Sequence, residues 1–208
     1  MKLASKFFTV VLGLSLTGFS HLAASDEIVE PESEVAFPKT MTVKDGDKTH
    51  NLGVTGLFHF HIKKRKGDVS LYTVAHYYDK AAGLTKATTM QEIKSGEAVK
   101  ALTFSVNRGA RLGSLGPWFV NLFQRLATPE QVAENQDGIK AFSEILGGQM
   151  EKKDKVTVQY IANDKVTVVL PNQETKTMTN PGFGKFFWDT MFSTSSPINF
   201  AKLVSMVE

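Results

Sequence analysis

Two adjacent stretches of alternating side chains constrain this chain most. Residues 54–62 place Val54, Phe58, Phe60 and Ile62 on one side and Thr55, Leu57, His59 and His61 on the other. Residues 69–78 set Val69, Leu71, Thr73, Ala75 and Tyr77 against Ser70, Tyr72, Val74, His76 and Tyr78. Between them lie Lys63, Lys64, Arg65, Lys66, Gly67 and Asp68, a basic loop with a turn glycine. A period of two on either side of a short polar turn predicts a long antiparallel hairpin. If Phe58, Phe60 and Ile62 share a face with Leu71, Thr73 and Ala75, the register puts His61 opposite Tyr72, His59 opposite Val74 and Leu57 opposite His76. His59, His61, Tyr72 and His76 then share one face.

The remaining chain extends this into a mixed fold. A short strand at 40–43 precedes the turn Asp45-Gly46, and 99–106 reads as a further strand. The period then changes. Leu115, Trp118, Phe119, Leu122, Phe123 and Leu126 recur at helical spacing. Thr128, Pro129 and Gln131 form a capping-box start for a second helix, with Val132, Ile139, Phe142 and Ile145 on its buried side and Gly147-Gly148 at its end. Alternation returns at Val156, Val158 and Tyr160, then at 166–170 and 174–178, separated by turn residues. Helical spacing closes the chain, with Phe183, Phe186, Phe187 and Met191, then Phe200, Leu203, Val204 and Val207. Hairpins without βαβ alternation predict an α+β fold: an antiparallel sheet with helices over one face. The two aromatic stripes read first as core packing.

The N-terminus belongs to a different class of sequence. Lys2 and Lys6 precede an apolar run at 7–19, and Ala23 and Ser25 follow at signal-cleavage spacing. This predicts a secretory signal peptide over 1–25, cut before Asp26. About 13 apolar residues would span only ~20 Å, short of a ~30 Å bilayer core. The expected location is outside the cytoplasm, in the periplasm or beyond, with no integral membrane segment after cleavage. Residues 26–34 (DEIVEPESE) read as a flexible acidic leader, and 35–208 as one domain. The whole chain carries 24 Lys+Arg against 21 Asp+Glu, a net charge of +3. Loss of Lys2 and Lys6 leaves 22 against 21, or +1, so the basic balance does not argue for a nucleic-acid partner. The basic loop lacks interleaved aromatics and reads as a solvated hairpin tip that discourages edge pairing. With no cysteine, disulfides, thiol catalysis and lipid attachment at cysteine are excluded.

Several stretches, taken in order, resemble the chalcone isomerase family and within it the bacterial chalcone isomerase-like proteins. Phe37-Pro38 opens the domain, Gly56-Leu57-Phe58 lies on the first hairpin strand, and residues 71–78 (LYTVAHYY) resemble the family's KVYxAxLY strand. Residues 126–131 (LATPEQ) are similar to its LSPEEL helix start. Residues 152–155 with Tyr160 and 165–168 are similar to its KKGD…Y…GTxV meander, and Phe183, Phe186, Trp188, Pro197 and Leu203 to its closing helices. The resemblance runs from Phe37 to Val207. It implies an open-faced sandwich, a large antiparallel sheet under a helical layer with a cleft between them. For function it implies binding of a small amphipathic molecule such as a fatty acid, without established catalysis. The alternatives are an intramolecular lyase of the chalcone–flavanone isomerase type, and a non-catalytic structural or partner-binding envelope protein.

The resemblance also implies site residues. The family's cleft uses a tyrosine on the second hairpin strand, matched here by Tyr72. Its arginine on the first strand is not matched; Phe58 or His59 holds that place. A guanidinium offers a permanent bidentate charge that phenylalanine lacks and histidine has only when protonated. Tyr72, His59, His61 and His76 are therefore the ligand-binding candidates. Arg108 and Arg111, in the glycine-rich stretch NRGARLGSLG, are candidates to replace the missing arginine. The other reading of the histidines is a partly solvated polar sheet face. His59 and His61, two apart on a strand, would also make half a metal site. No third ligand lies at obvious spacing and His50 is unplaced, so the sequence assigns no metal and no cofactor.

Overall fold

A computed structural model describes residues 26–65, 67–85, 93–94, 97–107, 115–146, 150–161 and 164–207. The long hairpin is its spine. β4 (Lys48–Lys64) pairs antiparallel with β5 (Gly67–Asp79) from Leu52 to Lys64. Together with β3 (Thr40–Asp45), β6 (Lys100–Val106), β7 (Lys155–Ile161), β8 (Lys165–Val169) and β9 (Thr175–Thr179) they form a seven-stranded antiparallel sheet in sequence order. Every connection joins sheet neighbours, so no crossover is needed and the α+β expectation holds.

The helical layer covers one face. α1 (Leu115–Leu126), α2 (Pro129–Glu134), α3 (Gln136–Ile145), α4 (Phe183–Met191) and the short α5 (Phe200–Leu203) supply it. The expected capping box is present: Thr128 Oγ1 accepts from the Gln131 N–H and Gln131 Oε1 from the Thr128 N–H. The single helix expected after it is broken at Asn135 into α2 and α3. Phe119 is fully buried, its ring 4.8–6.0 Å from those of Phe104, Trp118, Phe123, Phe142 and Phe187. Such aromatic pairs add to the gain from burial alone.

The acidic segment expected to be a flexible leader is structured. β1 (Glu27–Glu30) pairs with β2 (Val35–Pro38) in a separate hairpin on the sheet's other face. Val35 and Phe37 bury themselves there against Leu57, Ala75, Tyr77 and Ala101. The Tyr77 hydroxyl donates to the Pro38 carbonyl at 2.9 Å, and Lys155 Nζ to the Ala36 carbonyl at 2.6 Å. Acidic composition points to a solvated tail; Ile28, Val35 and Phe37 are the apolar anchors that composition hides.

The hairpin register also differs from expectation. His59 lies opposite Thr73, Phe60 opposite Tyr72, Phe58 opposite Val74 and Gly56 opposite His76. Two bulges shift it, with Thr55 as the extra residue on β4 and Leu71 on β5. The physical reason is coverage of both faces. Tyr72, Val74 and Tyr78 pack with the helical core, while Ala75 and Tyr77 pack under the β1–β2 hairpin. Both sides of β5 are buried, so alternation alone cannot choose between them.

Candidate functional site

The observed register separates the four candidates expected on one face. Tyr72 and His76 point to the helices; His59 and His61 point to the opposite face, beneath the β1–β2 turn. Arg108 and Arg111 lie outside the described residues.

Tyr72 sits in a cleft of about 380 Å³ between α1 and the outer end of the β4–β5 hairpin. Phe60, Ile62, Leu71 and Tyr72 form its floor, with Phe104 and Val106 from β6. Leu115, Trp118 and Arg125 of α1 and Pro197 close its other side. The bulge at Leu71 lets two successive β5 residues reach the same cleft. Among the described residues β5 pairs with β6 from Tyr72 to Tyr78, and the Asn107 N–H donates to the Leu71 carbonyl at 3.0 Å, so the cleft lies at the end of this pairing.

The tyrosine is held by rings on three sides. Phe60 stacks on it at 4.9 Å, and Trp118 and Phe104 meet it edge-on at 5.5 and 6.5 Å. Its hydroxyl is buried and has no hydrogen-bond partner among the described residues. Burial pushes its pKa up, with the Arg125 charge opposing, so the phenol stays a neutral donor at ordinary pH. A buried hydroxyl without a partner costs about 1–3 kcal/mol, a cost that a ligand's acceptor would remove. Among the described residues, Arg125 is the one charged side chain lining this cleft. It is not among the residues expected from the sequence, yet a signal for it exists: Arg125 lies seven residues after Trp118, two helical turns along the same face.

His76 is fully buried near this layer, not in the cleft. Its Nδ1 is 2.6 Å from Thr55 Oγ1, and the Thr55 hydroxyl donates to the Leu203 carbonyl at 2.7 Å. Thr55 thus joins the β4 bulge to α5, and His76 is held against it. Of the two residues at the unmatched arginine position, Phe58 faces the helical core and His59 faces away. On that far face, His59 Nδ1 is 3.1 Å from Glu32 Oε2, and its Nε2 is 2.7 Å from Ser70 Oγ. The His59 hydrogen bond lowers the pKa of Glu32. Glu32, His59 and His61 are the one grouping with metal-ligand geometry among the described residues. His50 is elsewhere, paired with Asp79 at 2.7 Å.

The fold and cleft define a class: an open-faced antiparallel sheet under helices, enclosing a small apolar chamber with few polar groups. The chain belongs to the chalcone isomerase-like family, whose profile matches residues 32–194. Among solved structures it is similar to a fatty-acid-binding protein of Arabidopsis thaliana. That match has a TM-score of 0.61 and 12% identity, over 83% of this chain and 91% of the other. The sequence matches no curated protein at a significant level. No helix among the described residues is long and apolar enough to cross a membrane.

Proposed function

We propose that this is an exported binding protein for a small amphipathic molecule, with a fatty acid as the model ligand. The observation that carries the reading is the buried Tyr72 hydroxyl, without a hydrogen-bond partner among the described residues, in a mainly apolar cleft that Arg125 also lines. Ligand sites are mostly apolar chambers with a few placed polar groups, and about 380 Å³ lies within the usual size range. In this reading the aromatic and aliphatic walls take the tail. Tyr72 donates to the carboxylate, and Arg125 supplies the charge that the unmatched first-strand arginine does not. Membership of the family and the likeness in fold to the Arabidopsis fatty-acid-binding protein support the ligand class. Export rests on the signal pattern of residues 1–25, and an intact mass beginning at Asp26 in the envelope fraction would test it.

Tyr72→Phe discriminates between a ligand group and a packing group. One hydrogen bond to a charged partner is worth about 1.5–3 kcal/mol, so fatty-acid affinity should fall roughly 10- to 100-fold. The unliganded variant should be as stable as the parent or up to about 1 kcal/mol more stable, because the orphaned hydroxyl is gone. Displacement of a fluorescent fatty acid measures the first effect and urea unfolding the second. If the parent neither binds fatty acids nor carries a lipid that mass spectrometry can extract, the reading fails.

A further inference from the structure

The far face of the sheet carries a second constellation, unconnected with the cleft. His59 and His61 are two apart on β4 and project on the same side. Their Nδ1 atoms both turn toward one carboxylate oxygen, Glu32 Oε2, at 3.1 and 3.9 Å. One ligand atom from each residue lies within 4.8 Å of the other two. A tetrahedral ion with bonds of about 2.0–2.2 Å sets its ligands roughly 3.4 Å apart, close to the spacing already present.

The surroundings hold these groups as metal ligands are commonly held. A ligating imidazole usually gives its remote nitrogen to a second partner, which fixes ring orientation. Here His59 Nε2 meets Ser70 Oγ at 2.7 Å, and His61 Nε2 faces Asp68 Oδ2 at 3.8 Å. Ser70 is itself fixed by Asn107 Nδ2 at 2.8 Å, which also donates to Thr73 Oγ1 at 2.7 Å. The Thr73 hydroxyl donates to Ser33 Oγ at 2.8 Å, tying the turn that bears Glu32 to the sheet. Within that turn, Glu30 Oε2 accepts from the Ser33 N–H and hydroxyl at 2.8 and 2.7 Å. Glu32 is thus presented by a braced turn and not by a loose tail.

We propose that Glu32, His59 and His61 bind a zinc ion that staples the β1–β2 turn to the back of the sheet. Two imidazole nitrogens and one carboxylate oxygen suit zinc, and three protein ligands leave a fourth position for water. The site does not depend on the cleft or on its ligand.

The test is a zinc titration of the purified protein, free of any polyhistidine tag, against a competing chromophoric chelator. One equivalent of zinc should bind, raise the melting temperature and be reversed by chelation. Glu32→Gln and His61→Ala change partly exposed side chains, so both variants should fold. Each should weaken zinc binding at least about tenfold and abolish the thermal shift. Asp68→Asn should weaken binding by a smaller factor, through the orientation of His61. The proposal is overturned if the parent shows no saturable binding at tens of micromolar zinc, or if the double variant Glu32→Gln/His61→Ala binds as tightly as the parent.

Discussion

Gly56→Ala should lower the stability of the protein by about 3–4 kcal/mol, near the upper end of overpacking costs. A Cβ at this position meets the Lys202 carbonyl oxygen directly and lies 2.5 Å from the Leu203 carbonyl carbon and 2.7 Å from its oxygen. All three atoms are backbone, so no side chain can rotate away. Either β4 or the α5 segment must shift. The shift would break a local cluster of hydrogen bonds. Thr55, the bulge residue beside Gly56, donates to the Leu203 carbonyl and accepts the Met206 N–H at 2.8 Å on its own carbonyl. It also holds His76. Each net hydrogen bond is worth about 1 kcal/mol, so losing two of them adds to the steric cost. A chain of this size should melt roughly 10 °C lower. Thermal unfolding followed by circular dichroism measures it, and a shift of only about 2–3 °C would show that the C-terminal segment is not locked here. Thr55→Ala, which removes the hydroxyl but adds no clash, should cost less than Gly56→Ala.

This corner also shows what the sequence can and cannot convey. The strands, the helical stripe of α1 and the Thr128 capping box are legible because each rests on a local period or a local cap. The bulges at Thr55 and Leu71 are not. A bulge inserts one residue into a ladder, and its cause here is tertiary: α5 presses on Gly56, and the cleft takes both Leu71 and Tyr72. The register therefore slips, and four residues expected together are parted onto two faces. Tyr72 emerges as a cleft residue through the family resemblance and not through the register. Glu32 is hidden for a different reason. Its neighbours Glu27, Glu30 and Glu34 give the stretch the composition of a solvated tail, while burial of Val35 and Phe37 decides its conformation. Arg125 differs from both, because its place on the helical face of Trp118 is written in the local spacing.

Acid should destabilise the protein through His76, on a scale comparable with the Gly56 substitution. Burial, with the Lys100 charge adding to it, lowers the His76 pKa to about 3. The hydrogen-bond geometry gives the reason. The Thr55 hydroxyl proton is committed to the Leu203 carbonyl, so Thr55 Oγ1 accepts from the Nδ1–H of His76. The proton that would charge the ring must then go to Nε2, which is buried without a partner among the described residues and lies in the layer where Phe192 packs edge-on against the ring. In the unfolded chain the same imidazole titrates near 6.5. Between about pH 6.5 and 3 the unfolded state binds the extra proton, so stability rises with pH across that window. The contribution is complete above about pH 6.5 and is lost progressively as pH falls toward 3, on the order of 5 kcal/mol in all. Carboxylates titrate over part of the same range, so a non-titrating variant is the necessary control. His76→Gln should be less stable than the parent at pH 7. Urea unfolding should find that gap narrowed by about 2–3 kcal/mol near pH 4.5, because only the parent carries the histidine penalty. Two pH profiles that run parallel would mean that His76 can accept its proton in the folded state, which requires an acceptor or a water at Nε2.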